Sequence, residues 1–457
     1  MTRPEDERLP TPKLFGYGVQ HILSMFGGVI AVPIIIGNAA GLSGPEIGTL
    51  LACALFVSGA ATMLQTLGLP FFGSQLPLVQ GISFASVATM LSIIGDDGQD
   101  GLRNVLGAVI IAALIGLAIS PFFSQIIRFF PPVVTGSIIT VIGLSLMPVA
   151  AGWITGQPML AGEPNPAYLD PGNIGLAFLT LGLVLVLTKI PGLSRLAILL
   201  GLVLGTIVAL IVGKANFDAV DGASAFAFPE PFAFGGPTFE FGAIVSMTIV
   251  ILVIMVETTA DLLAVGTIIG TKVNPRRVGD GLRADMAASA LAPVFNSFPA
   301  TAFAQNVGLV ALTGIKSRFV VAAGGAILLV LGLSPFLAAI VRTIPLPVLG
   351  GAGIVLFGIV AASGIRTLSQ VQYRDNNNLV LVAAAVGFGM LPVVSEGFWS
   401  EFPEWWVTIF DSGISSASIM AVVLNIFFNM WRPGKPEQPT SIAAGPPVMV
   451  REKEIAH

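Results

Sequence analysis

Apolar runs broken by short polar or Gly- and Pro-containing stretches recur along nearly the whole chain. A helix needs about 20 predominantly apolar residues to cross the hydrocarbon of a bilayer. Eleven runs meet that length, beginning near residues 14, 46, 105, 133, 171, 194, 242, 319, 346, 378 and 412. Three weaker segments, 74–94, 279–297 and 299–314, are interrupted by Gly, Pro or polar side chains, and including them gives fourteen. The pattern predicts an all-α polytopic membrane protein. Composition agrees: of 457 residues, 54% are hydrophobic and only 10% charged, against roughly 25% charged in a soluble domain. One cysteine, Cys53, leaves no disulfide framework. The N-terminal "MTRPEDERLPTPK" mixes acids with bases and does not read as a cleaved signal. The residues after Met430 read as a disordered polar tail.

Charge then orients the segments. With the N-terminus inside and fourteen crossings, only Arg103, Lys214 and Arg342 of the 21 basic residues fall outside, leaving 18 on the cytoplasmic side. Such a bias is the positive-inside rule. The chain is therefore expected in the cytoplasmic membrane with both termini cytoplasmic. The outer loops are acidic or aromatic, as in "IIGDDGQDG" and "SEGFWSEFPEWW". Basic residues spread along one membrane edge form no patch, so no nucleic-acid partner is expected.

An internal repeat adds organisation. "SPFFSQIIRFFPPVVTG" (Ser120–Gly136) and "SPFLAAIVRTIPLPVLG" (Ser334–Gly350) share eight of seventeen positions, 214 residues apart. Arg128 falls inside and Arg342 outside, so the second seven-span unit is upside down, an arrangement found in many secondary transporters. Short, interrupted segments at matching places in both halves point to the binding site of such a protein. Here they are "GSQLPLVQGISFAS" (Gly73–Ser86) and "SFPATAFAQNVGLVALTG" (Ser297–Gly314), the third and tenth spans. Broken backbone at membrane depth survives only when buried in protein or lining a cavity. Gln305 and Asn306 in the second of these face a ligand or glue helices together.

Ionisable residues inside the membrane sharpen the picture. Glu257 and Asp261 lie four apart in the eighth span, on one helix face. Each costs about 2.5–3.5 kcal/mol at mid-membrane, and such residues usually mark substrate or ion paths. Asp285 in the ninth span is either a third member of that path or a helix anchor. His21, beside Gln20 in the first span, is either a hydrogen-bonded structural residue or a ligand-facing one. No metal-ligand spacing, nucleophile–base set or phosphate-binding loop is present, so an enzyme is not expected.

Gln305-Asn306-x-Gly308-x4-Thr313-Gly314 resembles the signature of the nucleobase–ascorbate transporter family, the nucleobase:cation symporters. Gln20-His21, "VQGISF" at Val79–Phe84 and "ETTADLLAVG" at Glu257–Gly266 resemble the same family, and the likeness covers essentially the whole chain. The resemblance implies fourteen spans as two inverted sevens. A core domain would comprise residues 1–127 and 242–341 and a gate domain 128–213 and 342–431, with an external linker at 214–241 and a cytoplasmic tail at 432–457. It also implies proton-coupled uptake of a nucleobase by a homodimer joined through its gates, with the proton as coupling ion and no other cofactor or metal.

Carried across by position, Glu257 would accept nucleobase N–H groups, and Gln305 would meet another polar edge of the ring. Backbone near Phe84 and Ala304 would complete the site, and the rings of Phe84 and Phe303 suit the faces of the base. Asp261 and Asp285, with His21, would serve proton coupling and mechanism. Asn306, Gly308, Thr313 and Gly314 are signature positions tied to affinity and selectivity. Gln305 where the uracil branch tends to carry Glu, and Ser83, favour xanthine or uric acid. A uracil permease of the same family and an anion transporter of the same fold are the alternatives.

Overall fold

The computed structural model describes residues 3–156, 159–160, 163–165, 167–217, 226–373, 377–395 and 397–431. The expected tail at 432–457, Arg374 and residues 218–225 of the expected linker lie outside the described residues. The first half runs α1 (Thr11–Ala39), α2 (Gly44–Leu67), β1 (Gln80–Ile82), α3 (Val87–Ile94), α4 (Gln99–Ile119), α5 (Phe123–Ile126), α6 (Pro132–Ser145), α7 (Met147–Thr155), β2 (Met159–Leu160), β3 (Glu163–Pro164), α8 (Pro171–Lys189) and α9 (Ala197–Ile211). The second half opens with the same order of two helices, a strand and a helix: α10 (Phe241–Ile269), α11 (Pro275–Leu291), β4 (Ala300–Ala302), α12 (Ala304–Thr313), α13 (Arg318–Gly332), α14 (Pro335–Arg342), α15 (Leu346–Leu368), α16 (Asn377–Val394), α17 (Glu404–Phe410) and α18 (Gly413–Asn425).

Prolines in the first turn open α2, α6, α8, α11 and α15, where the missing N–H costs nothing. Among the described residues nine helices are long and apolar enough to cross a membrane. The apolar runs near 194 and 319 yield shorter helices, α9 and α13, of 15 residues each. Gly213 at φ 72° follows α9, and α13 stops just before Ser334–Pro335, a dipeptide that disfavours helix. The two interrupted segments form strand–helix pairs, β1 with α3 and β4 with α12.

The halves interlock rather than pack separately. α2 lies on α13 while α11 lies on α4, and α1 touches α13 while α10 touches α4. Each contact in one half thus has its counterpart with the halves exchanged. Gly59 of α2 meets the backbone of Gly325 and Leu329 with no room for a side chain, as small residues allow in membrane helix pairs. A second group forms around α6 against α15, with α8 and α9 on α15 and α16 on α18. At the centre β1 and β4 pair antiparallel, Gln80 with Ala302, Gly81 with Thr301 and Ile82 with Ala300.

The N-terminus is not a free tail. Buried Glu5 pairs with Arg277 at 2.6 Å, and Asp6 pairs with Arg318 at 2.7 Å. Arg277 also donates to the carbonyls of Ser74 and Gln75. This turn therefore ties the approach to β1 to the starts of α11 and α13, and it marks one side of the membrane as the N-terminal side.

Candidate functional site

The paired strands are held from both halves by equivalent hydroxyls. Thr62 Oγ1 of α2 accepts from Gln80 N at 2.9 Å and donates toward Gln80 O at 3.1 Å. Ser289 Oγ of α11 accepts from Ala300 N at 3.0 Å and lies 3.4 Å from Ala300 O. The ladder continues symmetrically, with Ser83 N on Pro299 O at 2.9 Å and Phe303 N on Val79 O at 3.1 Å. These bonds satisfy strand edges that would otherwise be unpaired at membrane depth. They also set the N-termini of α3 and α12 close to the pair. Ser83 Oγ accepts from Ala85 N at 3.2 Å and so starts the first half-helix.

Asp285 is tied into this scaffold. Its Oδ2 accepts from Thr258 Oγ1 at 2.6 Å and its Oδ1 from Gln65 Nε2 at 3.1 Å. Gln65 Oε1 accepts in turn from Ser74 N at 2.9 Å, and Thr258 Oγ1 is 3.4 Å from Thr301 Oγ1. With 1% exposure, Asp285 bridges α2, α10 and α11 rather than facing an opening. Its bonds go to side chains of two other helices, Thr258 and Gln65.

His21 and Asn306 are likewise paired inside. Asn306 Nδ2 lies 2.9 Å from His21 O and 3.1 Å from His21 Nδ1, and both residues are buried. Asn306 thus fixes the start of α12 to α1. Phe303 is wedged with its ring against Gly28 and Gly81, where neither position has space for a Cβ. Phe84 stands between Phe303 and Phe357, with ring centroids 6.5 and 6.0 Å away.

Glu257, Asp261 and Gln305 are placed differently. All three are half-buried, and none enters an ion pair among the described residues. No residue of α10 from Gly242 to Thr259 is exposed, but Ala260 and Thr267 are. On α12, which packs against α10, Ala304, Gly308 and Ala311 are exposed. A Cβ added at Gly308 would meet nothing within 4 Å. Both helices therefore present an open face toward the N-terminal side. Two carboxylates on a lipid-facing surface would be costly, which favours a face that meets water. Thr313 Oγ1 bonds Leu309 O at 2.8 Å, and Gly314 at φ 66° closes α12.

Chemically, the face offers carboxylate acceptors on α10 and an amide with donor and acceptor on α12. Sequence reasoning missed Thr62, Gln65, Thr258 and Ser289, which hold the strands and Asp285. A surface depression lined by Asp97, Asp100, Arg103 and Phe234 lies at the far ends of α3 and α4, away from these residues. Its Arg103 is already paired with Asp100 at 3.1 Å.

A family model, Xan_ur_permease, described as a permease family, matches residues 12–397. The uric acid transporter UacT of Escherichia coli K12 is 40% identical over 434 residues, 93% of this chain and 89% of that protein. The xanthine permease of Bacillus subtilis 168 is 38% identical over 425 residues, 93% of this chain and 95% of that protein. Among solved structures, the transmembrane domain of the cyanobacterial bicarbonate transporter BicA superposes with a TM-score of 0.60 at 17% identity. That likeness covers 90% of this chain and 97% of that one. Murine Slc26a9 also gives 0.60, at 13% identity, over 92% of this chain and 69% of that one. These structures share the inverted-repeat fold.

Proposed function

The chain belongs to the nucleobase–ascorbate transporter family of permeases, and from that premise we propose that it imports an oxidised purine, xanthine or uric acid, together with protons. The observation that carries this reading is the open face of α10 and α12. Glu257, Asp261 and Gln305 are the polar groups there that have no hydrogen bond or ion pair among the described residues. A carboxylate accepts two ring N–H groups, whereas a primary amide meets C=O and N–H together, which matches the alternating edge of an oxidised purine. Main chain at Phe84 and Ala304, near the ends of the paired strands, supplies further bonds. The rings of Phe84 and Phe303 cover the base, and Ser83 leaves room for an extra oxygen.

Protons enter at Glu257 and Asp261, one helical turn apart. Asp285 acts through Thr258, which is adjacent to Glu257. Asn306 and His21 hold α12 in place, Gly308 keeps the face open, and Thr313 with Gly314 ends the half-helix. Residues 1–127 and 242–341 move as a core against a gate of 128–213 and 342–431, and gates pair in a homodimer. Fourteen crossings put both termini in the cytoplasm, so the open face looks inward. The names of the relatives, uric acid and xanthine carriers, support the substrate class. An anion carrier is the alternative suggested by the fold neighbours, and the Glu257–Asp261 pair opposes it while both carboxyls are charged. Urate, itself an anion, would enter with protons on that pair.

The test is uptake of labelled xanthine into cells lacking their own purine carriers, with unlabelled urate and uracil as competitors and a protonophore control. The reading expects protonophore-sensitive uptake blocked by urate and not by uracil. Uptake blocked only by uracil would overturn the purine assignment. Indifference to the protonophore would remove proton coupling.

A further inference from the structure

A hydroxyl inside a helix readily bonds the carbonyl one turn earlier. Thr62, Ser137, Thr180 and Thr259 all do so here, on Ser58, Val133, Leu176 and Met255. Four other hydroxyls depart from that habit. Thr89 Oγ1 of α3 is 2.6 Å from Ser412 Oγ and 3.5 Å from Ser415 Oγ, at the start of α18. Ser415 Oγ is in turn 2.9 Å from Ser246 Oγ of α10. All four residues are 0% exposed. Of the four hydroxyl-to-hydroxyl contacts among the described residues, three belong to this cluster and the fourth joins Thr258 to Thr301.

The placement is as telling as the bonding. Ser246 precedes Glu257 by eleven residues on α10, about 16 Å along the axis, toward the side opposite the N-terminus. From Gly242 to Thr259 this part of α10 has no exposed residue, whereas Ala260 and Thr267 beyond it are exposed. Thr89 and Ser246 lie on core elements, Ser412 and Ser415 on a gate element. The cluster therefore crosses the seam that alternating access must open.

Its chemistry suits repeated opening. A buried ion pair loses heavily when one partner is removed, and an apolar seam exposes hydrophobic surface to water. Hydroxyls exchange each other for water at little net cost.

We propose that Thr89, Ser246, Ser412 and Ser415 form a latch that seals the far side of the transport path while the face of α10 and α12 stands open. Parting of α18 from α3 and α10 then opens that side. The proposal rests on the reading above in which the core moves against the gate.

The test places cysteines at Thr89→Cys and Ser412→Cys in a Cys53→Ala background and oxidises with copper phenanthroline. The latch predicts a cross-link, loss of xanthine uptake, and recovery with dithiothreitol. Each single-cysteine variant should ignore the oxidant. A cross-linked protein that transports normally would overturn the proposal, and so would failure of the folded pair to cross-link. Thr89→Val gives a readout that needs no substrate. Hydrogen exchange over residues 87–94 and 412–418 should quicken relative to the native chain, and unchanged exchange would contradict the latch. If the native chain takes up neither xanthine nor urate, the substrate reading fails and the exchange comparison still decides the latch.

Discussion

The two broken spans leave the same strand pair, yet their half-helices meet different surroundings. In α3, Val87, Thr89, Met90, Ile93 and Ile94 are buried, and Thr89 is engaged with α18. In α12, Ala304, Gly308 and Ala311 are exposed, and Gln305 is half-buried. The backbone scaffold is symmetric down to its supports, Thr62 on one strand and Ser289 on the other. The asymmetry is carried by side chains. An inverted repeat thus supplies one frame twice, and the residues placed on it leave one half-helix buried and the other with an exposed face.

The strongest way to break this comparison is at Glu257. Its side chain pairs with no cation among the described residues, so Glu257→Gln should leave the melting temperature near native. A hydrogen bond to a charged group is worth about 1.5–3 kcal/mol, so uptake of labelled xanthine should fall tenfold or more. Normal uptake would move the site off α10.

Next come two glycines, one in each broken span. Gly81 has no space for a Cβ beside Phe303 and Met25, and overpacking of this kind costs about 1–3 kcal/mol. Gly308 faces open space, and Gly→Ala inside a helix gains roughly 0.5–1 kcal/mol. Thermal melts should therefore show Gly81→Ala destabilised and Gly308→Ala at or above native, the latter with weakened xanthine uptake. The same sign for both would mean that the two spans are not differently occupied.

The strand supports sharpen the symmetric part. Thr62→Val and Ser289→Ala each strand a buried backbone N–H, at about 1–3 kcal/mol. Their losses in chemical denaturation should be similar. A large inequality would show that one strand holds the pair alone.

The smallest effect lies outside both spans. Lys214, 2.6 Å away, holds the exposed Asp170 carboxyl below its ordinary range, with help from the backbone N–H groups of Asn173 and Gly172. Because the folded group titrates lower than the unfolded one, its contribution is present above the unfolded carboxylate range and fades as pH falls through the folded value. The gap in melting temperature between the native chain and Asp170→Asn should therefore be small at neutral pH and close on acidification, with the binding face unaffected.

Much of this was readable in advance for physical reasons. Long apolar runs must become helices in a bilayer, and Gly73–Ser86 and Ser297–Gly314 showed their breaks through Gly, Pro and polar residues. Glu257 stood out because a charge in hydrocarbon is expensive. The hydroxyls did not, since Thr62, Thr89, Ser289 and Ser412 cost little in an apolar run and follow no period. Asp285 looked like Glu257 in the sequence, because only the fold reveals that Thr258 and Gln65 already occupy its oxygens. The pairing of Glu5 with Arg277 and of Asp6 with Arg318 joins residues far apart along the chain, which no local pattern reveals.

The most direct test of the central claim is labelling at Gly308→Cys in a Cys53→Ala background, using a membrane-impermeant maleimide on inside-out vesicles. The account predicts modification from the N-terminal side and protection by xanthine. A cysteine at 308 that does not react, or reacts equally with and without xanthine, would contradict it.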